Sequence, residues 1–230
     1  MHSFEPIEKN ILYEDNHLLI VKKECGILSQ PGSPGKLDLF SLCRDYIRIK
    51  YNKPGNVYLG LIHRLDRYVS GITVFAKTSK SAGRMAEIFK GRKIKKYYTA
   101  VSEGFLQPEE STLIDFLKKD PEKKTAYESA DGLKSELFYR TLRRGKISGS
   151  DVSLLEIELF TGRFHQIRFQ LSKRGSPVLG DTLYGSGCKT DEEPCIFLHA
   201  SKLTFEHPVK KIPLIIECPY PSKWDSYFQD

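Results

Sequence analysis

Ser135-Glu136-Leu137-Phe138-Tyr139-Arg140-Thr141-Leu142 and Val152-Ser153-Leu154-Leu155-Glu156-Ile157-Glu158-Leu159-Phe160 decide the fold. In the second run Leu155, Ile157 and Leu159 alternate with Glu156 and Glu158, the period of two that a half-buried strand requires. The first run alternates in the same way through Leu137 and Tyr139. Arg143-Arg144-Gly145-Lys146 lies between them and reads as a basic hairpin tip. Two strands joined by so short a link pair antiparallel.

Outward from this hairpin, further strands are expected at Leu18–Val21, Gly71–Lys77, Tyr97–Val101 and Ile196–Phe205. Only two stretches have helical spacing. One starts at Asp38, a residue suited to an N-cap, and runs to about Lys50 with Leu39, Leu42, Cys43 and Tyr46 on one face. The other starts with Ser79 as N-cap, carries Ala82, Met85, Ala86 and Phe89, and ends at Gly91. Cys25–Gly35 and Pro54-Gly55-Asn56 are turn-prone, and the charged segment Lys118–Asp131 reads as a surface loop. Strands follow one another through short turns, and the regular βαβ alternation of a nucleotide-binding fold is missing. The expected class is therefore α+β: a largely antiparallel mixed sheet with flanking helices and a central cleft.

The chain has 230 residues, of which 40% are hydrophobic and 28% charged, an ordinary globular balance that one catalytic domain over residues 1–230 would suit. The longest aliphatic run, Leu18-Leu19-Ile20-Val21, is far short of a membrane span. Met1-His2-Ser3-Phe4-Glu5 lacks the layout of a signal peptide, so a cytoplasmic protein is expected. A net charge of +7 fits a polyanionic partner, nucleic acid being the commonest, and fits a merely basic protein equally well. Five cysteines with no CxxC pair argue for reduced structural thiols and against a zinc site or a disulfide framework.

Polar residues crowd into two places. His63-Arg64-Leu65-Asp66-Arg67-Tyr68-Val69-Ser70-Gly71 forms a loop leading into a strand, a rigid edge of the kind on which functional side chains sit. Arg64 and Arg67 should keep Asp66 ionised, fit to act as nucleophile or electrostatic stabiliser. By spacing alone, a salt bridge bracing the loop explains the same residues. Thr161-Gly162-Arg163-Phe164-His165-Gln166-Ile167-Arg168 is the second place, with arginine forks suited to carboxylate or phosphate. A polar turn opening a helix fits it as well. No third ligand accompanies His63 and His165, so no metal is expected.

These residues resemble a known family. His63-Arg64-Leu65-Asp66 with Ser70-Gly71 resembles the HRLDxxTSG signature of RluA-type RNA pseudouridine synthases, and Thr161 to Arg168 resembles their TGRxHQIR segment. Lys96-Tyr97-Tyr98-Thr99-Ala100 is similar to the KxYxA strand, and Gly180-Asp181 with Tyr184-Gly185 to the GDxxYG turn. Leu198-His199-Ala200, Leu203, Phe205 and His207-Pro208 resemble the LHAxxLxFxHP strand. Ile11–Asp15 and Val21-Lys22-Lys23 resemble the opening strands. The resemblance covers about Ile11 to Pro208. Tyr68-Val69, Gln170 and Glu24 depart from the pattern, which bears on substrate fit.

The resemblance implies a pseudouridine synthase-like fold, and because the sequence starts close to the matched region, no appended S4-like domain of the kind some relatives carry is expected. It implies that a monomer isomerises uridines in ribosomal or transfer RNA, with no cofactor, metal or membrane. Asp66 would be the essential carboxylate. Tyr98 would pack on the target base, and Arg168 would be the basic partner of the aspartate. His63, Arg64, Arg67, Arg163, His165 and Gln166 would contact substrate. Two other readings are a catalytically silent RNA-binding module of the same fold and a glycoside hydrolase, which would need a second carboxylate opposite the first. Three basic clusters are candidates for gripping RNA: Lys90, Arg92, Lys93, Lys95 and Lys96; Lys118, Lys119, Lys123 and Lys124; and Arg140, Arg143, Arg144 and Lys146.

Overall fold

The computed structural model describes residues 7–32, 35–188 and 194–228. Ser33-Pro34, part of the expected turn at Cys25–Gly35, lie outside the described residues. The chain divides into two compact units, Met1–Ile94 with Lys202–Cys218, and Lys95–Ser201 with Pro219–Asp230.

In the first unit, strands β1 (Ile11–Glu14), β2 (Leu18–Lys23) and β4 (Ser70–Ala76) pair antiparallel in that order, and the short β3 (Gly60–Leu61) pairs with β4. Leu18 to Val21 is continuously apolar because β2 is buried on both faces. Leu18 and Ile20 join Ile72, Val74 and Met85 of helix α2 (Ser79–Lys90) in one core. Leu19 and Val21 join Phe75 and Leu39, Cys43, Tyr46 and Ile47 of helix α1 (Leu39–Lys50) in the other. Asp38 caps α1 as expected, its side chain accepting from the Ser41 amide.

Helix α2 departs from expectation at both its cap and its face. Thr78, one residue before Ser79, is the N-cap, and it exchanges hydrogen bonds with Ser81 in a capping box. Ser81 and Met85 are buried while Ala86 is exposed, so the inner face is rotated from the one read off the sequence.

The second unit is built on β5 (Ile94–Glu103), β6 (Glu110–Asp120), β7 (Thr125–Glu128), β8 (Leu133–Ile147) and β9 (Ser150–Leu159), paired antiparallel in the order β5-β9-β8-β6-β7. Helix α3 spans Gln166–Lys173. Lys118–Asp131 is not a loop. It contains the end of β6 paired with β7 in a hairpin, with Lys119 and Glu128 exposed and Lys118 and Asp120 half-buried. Nor are Arg143 to Lys146 a hairpin tip. They continue β8, and the turn falls at Ser148-Gly149, where both residues take positive φ.

Strand β10 (Leu198–Glu206) starts in the second unit, and its residues Lys202 to Glu206 in the first pair with β11 (Pro213–Glu217). The fold is α+β, with mostly antiparallel strands and three α-helices among the described residues. None of those helices is long and apolar enough to cross a membrane. Cys43, Cys188 and Cys218 are thiols. Cys25 and Cys195 are disulfide-bonded, which corrects the expectation that all five are reduced. An odd count with scattered spacing argues against a framework but leaves room for bonded cysteines.

Candidate active site

The first polar segment is the loop between β3 and β4, and main-chain hydrogen bonds hold it. Lys23, at the end of β2, is fully buried. Its Nζ donates to the carbonyls of Glu24 (3.0 Å), Ile27 (2.9 Å) and Arg67 (3.1 Å). Burial pushes this ammonium down to about 7, against the opposing pull of the Asp66 and Glu24 carboxylates. Ser29 clips Leu65, donating to its carbonyl (2.7 Å) and accepting from its amide (3.1 Å). The Gly26 amide donates to the Arg67 carbonyl at 2.9 Å, and Arg67 Nε returns a bond to the Gly26 carbonyl at 2.9 Å.

Within this frame Asp66 closes a turn on itself. Its Oδ1 accepts from the Tyr68 amide (3.2 Å) and its carbonyl from the Val69 amide (3.2 Å), which fixes the direction of the half-buried carboxylate. His63 Nε2 accepts from the Val74 amide at 3.3 Å, and the ring stacks on Phe89 with centroids 5.1 Å apart. His63 thus anchors the loop to β4 and α2. Arg67 is half-buried and braces Gly26, while Arg64 is exposed.

The second segment is held by side chains. Arg168, on α3, is buried and donates through Nε to Asp181 Oδ2 (2.6 Å) and through Nη2 to Asp181 Oδ1 (2.7 Å). This is a two-point fork on a carboxylate that is itself buried. Arg168 Nη1 lies 3.0 Å from His165 Nε2, and His165 Nδ1 lies 3.0 Å from the Tyr184 hydroxyl. Arginine only donates, so Nε2 accepts and the imidazole carries its proton on Nδ1, toward Tyr184. The Tyr184 oxygen also accepts from the Ala126 amide at 2.6 Å, and the Arg168 guanidinium sits 4.9 Å from the Tyr184 ring centre. His165 stands at the start of α3 with left-handed φ of 49° and ψ of 27°, and Phe164 stacks on it with centroids 3.8 Å apart.

Gln166 is buried and both ends of its amide are hydrogen-bonded. Its Oε1 accepts from Thr161 Oγ1 (2.8 Å) and the Arg163 amide (3.1 Å), and its Nε2 donates to Gln170 Oε1 (3.0 Å). Gln170 Nε2 donates in turn to Asp115 Oδ2 (2.7 Å), a carboxylate also bonded by Lys173 and Arg174 (2.7 Å each). Those cations and Gln170 outweigh the desolvation of Asp115 and hold it below the usual carboxylate range. Arg163 Nε reaches the Lys134 carbonyl at 3.3 Å.

Tyr98 lies on β5 opposite Ile157 of β9, half-buried. Burial pushes its phenol up to about 12, so near neutral pH it is an uncharged ring with its proton in place.

The sequence reading found every one of these segments and missed their supports. Lys23 was quoted only as part of an opening strand, although a lysine closing a two-sided apolar run has little solvent to reach. Ser29 and Asp115 carried no local signal. Gln170 and Asp181 stood out as family positions, without the partners that give them a role. Among the described residues no group of three or more His, Cys, Asp or Glu side chains is placed to hold a metal ion.

Comparison with known proteins fits these loops. Residues 17–173 match the family described as RNA pseudouridylate synthase. The chain is 32% identical over 216 residues to the uncharacterized RNA pseudouridine synthase YhcT of Bacillus subtilis, covering 94% of this chain and 70% of that one. It is 28% identical over 240 residues to tRNA pseudouridine synthase C of Vibrio cholerae, covering 96% and 94%. It is 30% identical over 233 residues to ribosomal large subunit pseudouridine synthase D of Xylella fastidiosa, covering 94% and 67%. Among solved structures, human RNA pseudouridylate synthase domain containing 1 superposes with a TM-score of 0.78 at 25% identity, covering 96% of this chain and 87% of that one. With both polar loops and most of its length matched, the chain belongs to the RNA pseudouridylate synthases, in their RluA-type branch.

Proposed function

We propose that this protein isomerises specific uridines of transfer or ribosomal RNA to pseudouridine, with Asp66 as the essential carboxylate. It acts as a cytoplasmic monomer, its two units making one catalytic domain, with no metal or cofactor. The relatives named for transfer RNA and for the large ribosomal subunit support both substrate classes. The observation that carries the reading is the construction of the Asp66 loop. A carboxylate aimed by its own turn, on a backbone clamped by a buried lysine, is preorganised for chemistry.

The reaction detaches uracil at its N-glycosidic bond, turns the base, and bonds C5 to the same ribose carbon. Charge develops on the sugar as the bond breaks, and an oriented carboxylate stabilises that charge or attacks the carbon. Tyr98, protonated and half-buried, offers an aromatic face for the loose base. Arg168, fixed by Asp181, supplies the cation, and Arg64, exposed on the Asp66 loop, is available to RNA. His63, Arg67, His165 and Gln166 serve substrate binding by shaping the two loops, and Arg163 by joining the second loop to β8. Extruding a uridine from a stack takes a few kcal/mol, which contacts along the RNA backbone offset.

Asp66→Asn tests the reading. The substitution keeps shape and removes charge, so RNA binding by filter assay should persist while tritium release from C5-labelled uridine RNA becomes undetectable. Conversion by the variant would remove Asp66 from its catalytic role. Wild-type protein that binds RNA without any conversion would instead be the catalytically silent module.

A further inference from the structure

The three basic clusters of the sequence are alike in composition and unlike in their surroundings. In the third, Arg140 pairs with Glu156 (2.8 Å), Arg144 with Glu109 (2.8 Å), Lys146 with Asp151 (3.7 Å), and Arg143 with Asp225. A phosphate approaching there meets a carboxylate beside nearly every cation. The second cluster is partly engaged: Lys118 pairs with Asp131, and Lys119 lies over the Phe164 ring at 4.8 Å.

The first cluster is itself divided: Lys96 is half-buried and donates to the Thr161 carbonyl at 3.2 Å. Lys90, Arg92 and Lys93 are exposed, and none of these three has a carboxylate partner among the described residues. Lys90 ends α2, where a cation is favoured by the helix dipole. That explanation stops at the cap, Gly91, and does not extend to Arg92 and Lys93 beyond it. Arg92 takes a left-handed φ of 55°, which turns the chain immediately after the helix, and the three cations fall within four consecutive residues. The strip is fastened to the Asp66 loop, because Phe89, next to Lys90, stacks on His63.

From this contrast we propose that Lys90, Arg92 and Lys93 form the strip that grips RNA phosphates beside the Asp66 loop, and that the paired third cluster does not. The proposal rests on the RNA-modifying function proposed above and names the surface that holds the substrate. Uncompensated cations hold a polyanion by releasing its counterions, so their contribution is read directly in the salt dependence of binding.

The test compares Lys90→Gln/Arg92→Gln/Lys93→Gln with Arg140→Gln/Arg144→Gln/Lys146→Gln, each in the full chain, on a transfer RNA transcript. Binding is titrated from about 50 to about 200 mM salt, and removing three phosphate contacts should reduce the slope of log affinity against log salt by about 2. Over that range the first variant should therefore lose about 16-fold less affinity than wild type. The second variant should keep the wild-type slope. Thermal melts of both confirm folding, since only exposed side chains change. An unchanged slope in the first variant, or equal changes in the two, overturns the proposal. Conversion of uridine by wild type is measured in parallel. Its absence would overturn the proposed function, while the two slopes would still decide where RNA is held.

Discussion

The Asp66 loop and the Arg168 loop bear the two most polar motifs of the chain, and they are stabilised by opposite means. Around Asp66 the bonds run to backbone atoms: Lys23 to three carbonyls, Ser29 to both peptide groups of Leu65, Gly26 and Arg67 to each other. Around Arg168 they run through side chains: Arg168 to Asp181, His165 to Tyr184, Gln166 to Gln170 to Asp115. A backbone-clamped loop accepts changes in the side chains it displays, since each residue still supplies its amide. Tyr68-Val69, where the family pattern has an acidic residue and threonine, falls in that loop, and Tyr68 gives Asp66 only its N–H. A side-chain relay is less tolerant, because every link needs a donor facing an acceptor.

The hardest blow to the second region is Asp181→Ala, which leaves the Arg168 guanidinium buried without its carboxylate. A broken buried pair typically loses about 3–5 kcal/mol, so the unfolding free energy from urea melts should fall by that order and turnover should collapse with it. A loss under about 1 kcal/mol would mean that side chains do not anchor this loop.

The first region is probed by Lys23→Met, read through pH. Below about 7 both folded and unfolded wild type hold the Lys23 proton, and above 10.5 neither does. Between those values the unfolded chain binds a proton that the folded chain has released. Wild-type stability therefore rises with pH in that window, at up to about 1.4 kcal/mol per pH unit. Subtracting the variant isolates the contribution, and a difference that stays flat from pH 7 to 10 would show that burial does not depress the Lys23 ammonium.

Gln170 gives the finest distinction. Gln170→Leu strands the buried Gln166 amide and should lower stability by about 1–3 kcal/mol. Gln170→His should stay within about 1 kcal/mol, because a neutral imidazole donates to Asp115 and accepts from Gln166. Equal losses in the two variants would mean that packing, not the relay, matters at this position.

How much of this was legible in the sequence follows the same division. Strands with clean alternation and helices with capping residues were readable because their signals are local: Asp38 before α1, Gly91 after α2. The β6–β7 hairpin was not, because buried Asp115 interrupts its apolar face, and of the lysines beyond it Lys118 pairs with Asp131 in the turn after β7 while Lys119 covers an aromatic ring. Arg143 to Lys146 resembled a turn because of Gly145. That glycine is there for space, since a Cβ would lie 2.0 Å from the Tyr227 carbonyl oxygen. The motif residues were found by resemblance, but the burial of Lys23 and the Asp115 relay arise from contacts between residues far apart in sequence. Lys23 and Arg67 are 44 positions apart, and Gln170 and Asp115 are 55.

The makeup of the first unit's core also bears on the order in which the molecule can be assembled during synthesis. Leu18, Ile20, Ile72 and Val74 pack with Leu203, Phe205, Ile216 and Cys218, which the ribosome adds more than a hundred residues later. The five paired strands of the second unit are contiguous, and all of them have been made once Leu159 is in place. The Asp66 loop thus emerges early together with its clamps, Lys23, Gly26 and Ser29, while the core packed on β2 and β4 waits for the last part of the chain.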